Sequence, residues 1–245
     1  MNDKIKIKKM QEAADILSLI LQEVAATAQE GVNLLELEEL ADTLCTQYKV
    51  KPAFKKYQGY PSSVCLGLND IVVHGIPFDY ELVDGDILSI DMGVKHRGVF
   101  SDCAVTVMIG DVSPEARKFV ETTKQAVLNA IAQAKPGNTI GDIGNAIQTT
   151  VEKEGYSPVE EMVGHGIGYE LHEMPYIPGI GKKGEGEKLY KGQTIAIEAI
   201  INQGSREIFI SAEDGWTSFT KDGMLSALFE HTVVVDDNPR ILTKW

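Results

Sequence analysis

Four acids and one histidine in this chain occupy positions where charge is costly. Asp91 interrupts the apolar run Ile87-Leu-Ser-Ile-Asp91-Met-Gly93, and Asp102 sits in Ser101-Asp102-Cys103-Ala104-Val105-Thr106-Val107. Glu198 lies in Thr194-Ile-Ala-Ile-Glu198-Ala-Ile-Ile201, and Glu230 stands between Leu228-Phe229 and Val233-Val234-Val235. Each is an acid embedded in β-type apolar sequence, where a buried carboxylate needs a compensating partner. Taken singly, each also fits a hydrogen-bonded carboxylate at a strand end. Together they are hard to satisfy with salt bridges, because the four segments contain no lysine or arginine. Metal cations are the remaining compensation. His165, in Val163-Gly164-His165-Gly166-Ile167-Gly168, adds a nitrogen ligand among glycines that let other groups approach closely. Oxygen-rich ligation with one imidazole and no thiolate favours Mn, Fe or Co over a structural zinc.

The elements that must position these residues follow from periodicity. Apolar residues at helical spacing run through Ala13, Ile16, Leu17, Ile20, Leu21 and Val24, then through Leu34, Leu37, Leu40, Ala41 and Leu44. Between them Gly31-Val32-Asn33 supplies a stop and an N-cap, with Glu36 completing a capping-box pair. Lys135-Pro136-Gly137-Asn138-Thr139-Ile140-Gly141-Asp142 repeats that punctuation, with Gly137 for Gly31, Thr139 for Asn33 and Asp142 for Glu36. A β-rich stretch follows each copy, which reads as an internal duplication over about 10–110 and 113–235.

The first β-rich stretch comprises 63–68, 71–73, 87–91, 98–100 and 104–109; the second comprises Met162, Val163, 194–201, 207–210 and 229–235. Helix, helix, then strands, twice over, predicts an α+β fold with pseudo-twofold symmetry. Its curved, largely antiparallel sheet should carry two helix pairs on one face, with the active site where the halves meet. Two other motifs are set aside. Gly179-Ile-Gly181-Lys-Lys-Gly184 matches a dinucleotide fingerprint but runs on into a charged stretch that ends in another glycine. His172-Glu173-Met174-Pro175-Tyr176 cannot be a zinc-binding helix, because proline breaks it and the second histidine is absent.

In their order and separations, Asp91, Asp102, His165, Glu198 and Glu230 resemble the ligand set of type I methionine aminopeptidases. Neighbouring stretches match too: Asn69-Asp70-Ile-Val-Val-His74-Gly75-Ile-Pro77, Leu171-His172-Glu173-Met-Pro175 and Phe229-Glu230-His231-Thr232. The resemblance covers nearly the whole chain. It implies the pita-bread fold, a single catalytic domain over 1–245 and two divalent metal ions, with Co, Mn, Fe or Zn as candidates. It further implies that Asp102 and Glu230 bridge both ions, Asp91 completes one, and His165 with Glu198 completes the other. A metal-activated water would then attack the first peptide bond, Glu198 would carry protons, and His74 and His172 would hydrogen-bond the substrate. Phe54, Tyr57, Tyr60, Cys65, His74, Leu171 and Trp216 would line the methionine pocket. The sequence departs from the family pattern at Phe54, Tyr169, Leu171 and Ala199, where a small or thiol residue, an arginine, a phenylalanine and a proline are expected.

The expected reaction is removal of methionine from the N-termini of peptides and nascent polypeptides when the second residue is small. The alternatives within the fold are Xaa-Pro aminopeptidases or prolidases and noncatalytic binding proteins. The former carry an extra N-terminal domain for which the stretch before Asp91 leaves little room, and the latter lack ligands that this chain keeps. The spacing from His165 to Glu230 leaves no room for the helical insertion of the type II enzymes.

Composition agrees. With 245 residues, 43% hydrophobic and 24% charged, the chain can bury a large core. Its formal net charge of −13 disfavours nucleic acid as a direct partner. Cys45, Cys65 and Cys103 are too scattered for a disulfide framework, and a cytoplasmic monomer working near the ribosome is expected. Lysines at 4, 6, 8 and 9 are followed by no uninterrupted apolar core of a signal peptide, and no apolar run approaches the ~20 residues of a membrane span.

Overall fold

The structure, a computed structural model, describes residues 3–245; Met1 and Asn2, which begin the expected 1–245 domain, lie outside the described residues. Helix α1 (Asp3–Thr27) buries Met10, Ala13, Leu17, Ile20, Leu21 and Val24, the stripe that its sequence period dictates. Helix α2 (Leu34–Gln47) starts at Asn33, whose side chain accepts from Leu35 N at 3.0 Å while Glu36 reaches back to Asn33 N. The chain continues through β1 (Lys51–Pro52), β2 (Cys65–Leu68), β3 (Ile71–Val73), β4 (Ile87–His96) and β5 (Val99–Met108). Helix α3 (Pro114–Ile131) is capped by Ser113 with Pro114 in its first turn, and α4 (Ile140–Glu152) by the Thr139–Asp142 box. Nine-residue strands then dominate: β6 (Ser157–Pro158), β7 (Gly164–Gly166) and β8 (Glu173–Ile177) precede β9 (Thr194–Asn202), and β10 (Ile208–Ile210) and β11 (Ser218–Thr220) precede β12 (Ser226–Val234) and β13 (Arg240–Ile241).

Among the described residues the strands form a ten-stranded antiparallel sheet with central order β1-β4-β5-β12-β9-β7-β8, and a three-stranded sheet β10-β11-β3. Helix α1 packs on β4 and β5, and α3 on β9 and β12. The two halves repeat each other's wiring. Gly31 N donates to Leu82 O at 2.8 Å and Gly137 N to Leu189 O at 2.9 Å; Leu34 N donates to Tyr80 O and Ile140 N to Glu187 O, both at 3.0 Å. Both glycines have positive φ, +82° and +91°, which a side chain would disfavour.

At the seam between halves, register pairs Glu230↔Ala104 and His231↔Cys103 join β12 to β5. Beyond them hydroxyls stand in for ladder bonds. Thr232 Oγ1 accepts from Asp102 N (2.9 Å) and donates to Asp102 O (2.8 Å); across the axis Thr106 Oγ1 accepts from Leu228 N (3.0 Å) and donates to Leu228 O (2.8 Å).

Several boundaries differ from the sequence reading. The stretches 98–100 and 104–109 are one strand, β5, because Asp102 does not break it but turns its carboxylate toward the acids on neighbouring strands. Met162 and Val163 precede a strand rather than forming one, since β7 begins at Gly164. Short strands β1, β6, β11 and β13 carry too few residues for a period-2 signal, and in β8 Pro175 interrupts the run.

Candidate metal centre

Five adjacent strands each present one of the five candidate ligands. Asp91 is on β4, Asp102 on β5, Glu230 on β12, Glu198 on β9 and His165 on β7, in the order of the sheet. Register places them on one face: Asp91 opposes Ala104, Ala104 opposes Glu230, Glu230 opposes Glu198, and Ala196, two residues before Glu198, opposes His165. Asp91↔Ala104 and Glu198↔Glu230 are equivalent positions of the two halves, so the pseudo-twofold relation itself supplies an acid on either side of the seam.

Asp102, His165 and Glu230 are buried and offer ligand atoms within 4.8 Å of one another, while Asp91 and Glu198 are half-buried. His165 Nε2 stands 3.6 Å from Glu198 Oε1 and 4.0 Å from Asp102 Oδ2. Its Nδ1–H donates to Gly166 O at 2.8 Å, which leaves Nε2 as a lone pair facing the acids. Burial, with the neighbouring His172, pulls the His165 pKa down to about 4, so the ring is neutral at pH 7. The carboxylates are pushed the other way. Burial raises Asp91 to about 7, and burial followed by mutual repulsion raises Asp102, Glu198 and Glu230 well above the ordinary carboxylate range. Asp91 Oδ1 and Glu230 Oε1 are buried without a hydrogen-bond partner among the described residues. Orphaned oxygens, repelling acids and a neutral imidazole lone pair fit divalent cations, which would neutralise the acids and use those lone pairs.

Beside the acids opens a cavity of about 230 Å³ whose lining includes Phe54, Tyr57, Tyr60, Cys65, His74, Leu171, His172 and Trp216 together with the five candidate ligands. Every residue that the sequence reading assigned to the site is therefore brought together. Phe54, Tyr57 and Tyr60 come from the loop after β1, and Cys65 lies on β2 opposite Asp91. His74 and Trp216 flank the three-stranded sheet and meet edge-on with centroids 6.2 Å apart; Tyr60 meets Trp216 at 5.3 Å. Leu171 and His172 ride the β7–β8 connection, which Glu173 pins by accepting from Tyr169 N (2.7 Å) and Glu170 N (3.0 Å). Tyr57 Oη lies 3.1 Å from His172 Nδ1, and the His172 ring meets that of His165 at 4.3 Å. Burial lowers the pKa of His74 and of His172, with His172 adding to the effect on His74. His74 has φ +57°, a left-handed backbone uncommon outside glycine that aims its ring at the site.

Three further residues contribute to the site without a motif that marks them in the sequence. Gln58 also lines the cavity, at φ +48°, on a loop with no periodic signal. Gly93 lies between Asp91 and the loop, where a Cβ would come within 2.9 Å of Phe54 and 3.2 Å of Asp102 Oδ1; its place after Asp91 in an apolar strand was the available clue. Thr232 anchors Asp102 by its hydroxyl, which no linear pattern reveals.

Comparison with known proteins agrees with this geometry. Residues 8–237 match the model of metallopeptidase family M24. The methionine aminopeptidase of Clostridium perfringens is 41% identical over 239 residues, covering 97% of this chain and 96% of that protein. Methionine aminopeptidase 1 of Bacillus subtilis is 40% identical, with 93% and 92% covered. The crystal structure of the Thermotoga maritima methionine aminopeptidase superposes with a TM-score of 0.94 at 39% identity, over 98% of this chain and 97% of that one. Prolidase from Pyrococcus furiosus shares the fold alone, at 23% identity and TM-score 0.80, with 64% of its length covered. A sheet carrying these candidate ligands, in a chain matched over nearly its whole length by such relatives, places the protein in metallopeptidase family M24.

Proposed function

We infer that the chain is a hydrolase that removes the N-terminal methionine from peptides and nascent polypeptides. The observation that carries this is the juxtaposition of five ligand-type side chains with an aromatic-lined pocket, in a chain matched along its length by methionine aminopeptidases. Membership of a metallopeptidase family carries divalent metal use. We assign Asp91, Asp102, His165, Glu198 and Glu230 as the residues that hold two ions, with Co, Mn, Fe or Zn as candidates. Asp102 and Glu230, buried at the seam, would be shared between both ions. When bound, the ions supply Lewis acidity and a water of lowered pKa.

The remaining work falls to the chain. Glu198, half-buried between Glu230 and His165 in the order of the sheet, would take a proton from the attacking water and return it to the leaving amine. His74 and His172 are neutral at pH 7, because both have lowered pKa values, and act as hydrogen-bonding groups toward the scissile peptide. With Nδ1 of His172 engaged by Tyr57, its Nε2 is the nitrogen left for substrate. The methionine side chain enters among Phe54, Tyr57, Tyr60, Cys65, Leu171 and Trp216, where full burial is worth roughly 1.5–3 kcal/mol. We further take the enzyme to be a cytoplasmic monomer that meets nascent chains near the ribosome; its three cysteines are free, which suits a reducing compartment.

The test is kcat/KM on a peptide series varying the first two residues. Met-Ala-Ser should be cleaved, Met-Lys-Ser poorly, and N-acetylated Met-Ala-Ser not at all. A clear preference for Xaa-Pro peptides would move the chain to the proline-specific branch.

A further inference from the structure

On the face of the sheet opposite the acids, Trp245 lies under the seam. Its indole N–H sits astride the register pair that joins the halves, donating to Ala104 O at 2.8 Å and Glu230 O at 3.3 Å. The ring stacks on His231 with centroids 4.0 Å apart, and Phe229 meets it edge-on at 5.1 Å. Both helices that flank the seam hold it. Gln22 of α1 donates to Trp245 O at 2.9 Å, Lys244 N donates to Ser18 Oγ of α1 at 2.8 Å, and Lys124 of α3 lies over the indole at 5.3 Å.

This placement matters because the seam is where ladder bonds are scarce. Two register pairs connect β5 to β12, and on either side the hydroxyls of Thr106 and Thr232 take over the backbone groups. Asp102 and Glu230 project from those two strands, so the distance between their carboxylates is set by the spacing of the seam. A donor shared between one carbonyl of each strand fixes that spacing from behind. We propose that Trp245 is a positioning residue for the metal centre, acting through the strands that present Asp102 and Glu230. The proposal rests on the reading of those acids as metal ligands. Ligand geometry must be held within about 0.5 Å to be effective, so a small change in strand spacing registers in metal affinity before it registers in folding.

The experiment compares Mn2+ binding to the metal-free protein by titration calorimetry, melting temperature, and steady-state kinetics on Met-Ala-Ser. Trp245→Phe keeps an aromatic ring in place and removes the shared N–H. It should weaken Mn2+ binding about tenfold and lower kcat at saturating Mn2+, with KM unchanged because the methionine pocket lies on the other face. Gln22→Ala, which frees the Trp245 main chain from α1, should give a smaller effect in the same direction and decides the matter if Trp245→Phe does not fold. Thr139→Ala, which removes a distant helix cap, serves as the control for general loosening: it should lower the melting temperature and leave Mn2+ affinity at the wild-type value. Wild-type affinity in Trp245→Phe, or an equal loss in Thr139→Ala at a matched melting temperature, overturns the proposal. If the wild-type protein binds no Mn2+, the reading of the ligands falls and the proposal with it.

Discussion

Glu198 and Glu230 are register partners, directly opposed on adjacent strands β9 and β12, with both carboxyl groups on the face that carries the site. Like charges in that relation destabilise a sheet. Here they stand in company with Asp91 and Asp102, and burial prevents water from screening them. Divalent metal use, which membership of the metallopeptidase family carries, is the compensation that such a cluster of acids fits.

Exhaustive chelation should therefore abolish turnover of Met-Ala-Ser and lower the melting temperature, with Mn2+ restoring both. An ion present at a hundred times its Kd adds about 2.7 kcal/mol to the stability of the folded state. Differential scanning calorimetry with and without metal reads the change directly. Unchanged activity and melting temperature after chelation would mean that the acids serve another purpose.

Asp102→Asn should cost more activity than Asp91→Asn, because Asp102 is buried at the seam whereas Asp91 is half-buried at the edge of the cluster. We expect kcat/KM to fall at least about tenfold further in the first variant, a difference of ~1.4 kcal/mol. Asparagine can still accept from Cys103 N, the 3.1 Å bond that Asp102 Oδ1 makes. It also removes a charge from a repelling cluster, so metal-free Asp102→Asn should melt above the metal-free wild type. Equal, small losses of kcat in the two variants would argue against a shared ligand.

The acids were legible in the sequence because burial and charge conflict in a way that a single strand reveals, as in Ile195-Ala-Ile-Glu198-Ala-Ile. The helix pairs were legible because Gly31 and Gly137, with their caps, punctuate identical local geometry. Other parts depend on contacts that form only after the sheet closes. Nothing near Thr232 marks it as the anchor of Asp102, and nothing near Trp245 indicates that its indole will reach two strands from distant parts of the chain. Strands as short as β11 are defined by their neighbours rather than by their own period.

The equivalent caps make a prediction about acid stability. Asp142 has its pKa lowered chiefly by the Thr139 N–H, donated at 2.8 Å. A depressed carboxylate pKa contributes stability that is fully present above its unfolded value, near 3.8, and is lost as pH falls through the folded value. Asp142→Asn should thus be less stable than wild type at pH 7, and the gap should close as the pH is lowered past 3.8. Thr139→Ala should cost about 1 kcal/mol at pH 7. Denaturant unfolding across pH 3–7 measures both, and a gap independent of pH would exclude the charge as the cause.

Two glycines of the β4–β5 hairpin should separate stability from function. At Gly98, in the turn, φ is +84° and an added Cβ meets nothing within 4 Å, so alanine there strains the backbone and touches nothing else. Gly98→Ala should lose roughly 1–2 kcal/mol of stability while kcat/KM on Met-Ala-Ser holds at the wild-type value. Gly93 carries no positive-φ constraint, but a Cβ there would come within 2.9 Å of both Ala53 and Phe54 and within 3.2 Å of Asp102 Oδ1. Something must shift: the Phe54 ring and the Asp102 carboxylate can turn, whereas the Ala53 Cβ moves only with its backbone, and Phe54 and Asp102 are the residues read as pocket wall and metal ligand. Gly93→Ala should therefore weaken Mn2+ binding and raise KM for methionyl peptides together, effects that Gly98→Ala should not show. Calorimetric Mn2+ titration and kinetics on the two variants decide it. If Gly93→Ala kept wild-type affinity and KM, the loop carrying Phe54 would be free to retreat, and Gly93 would be a matter of strand packing rather than of the site.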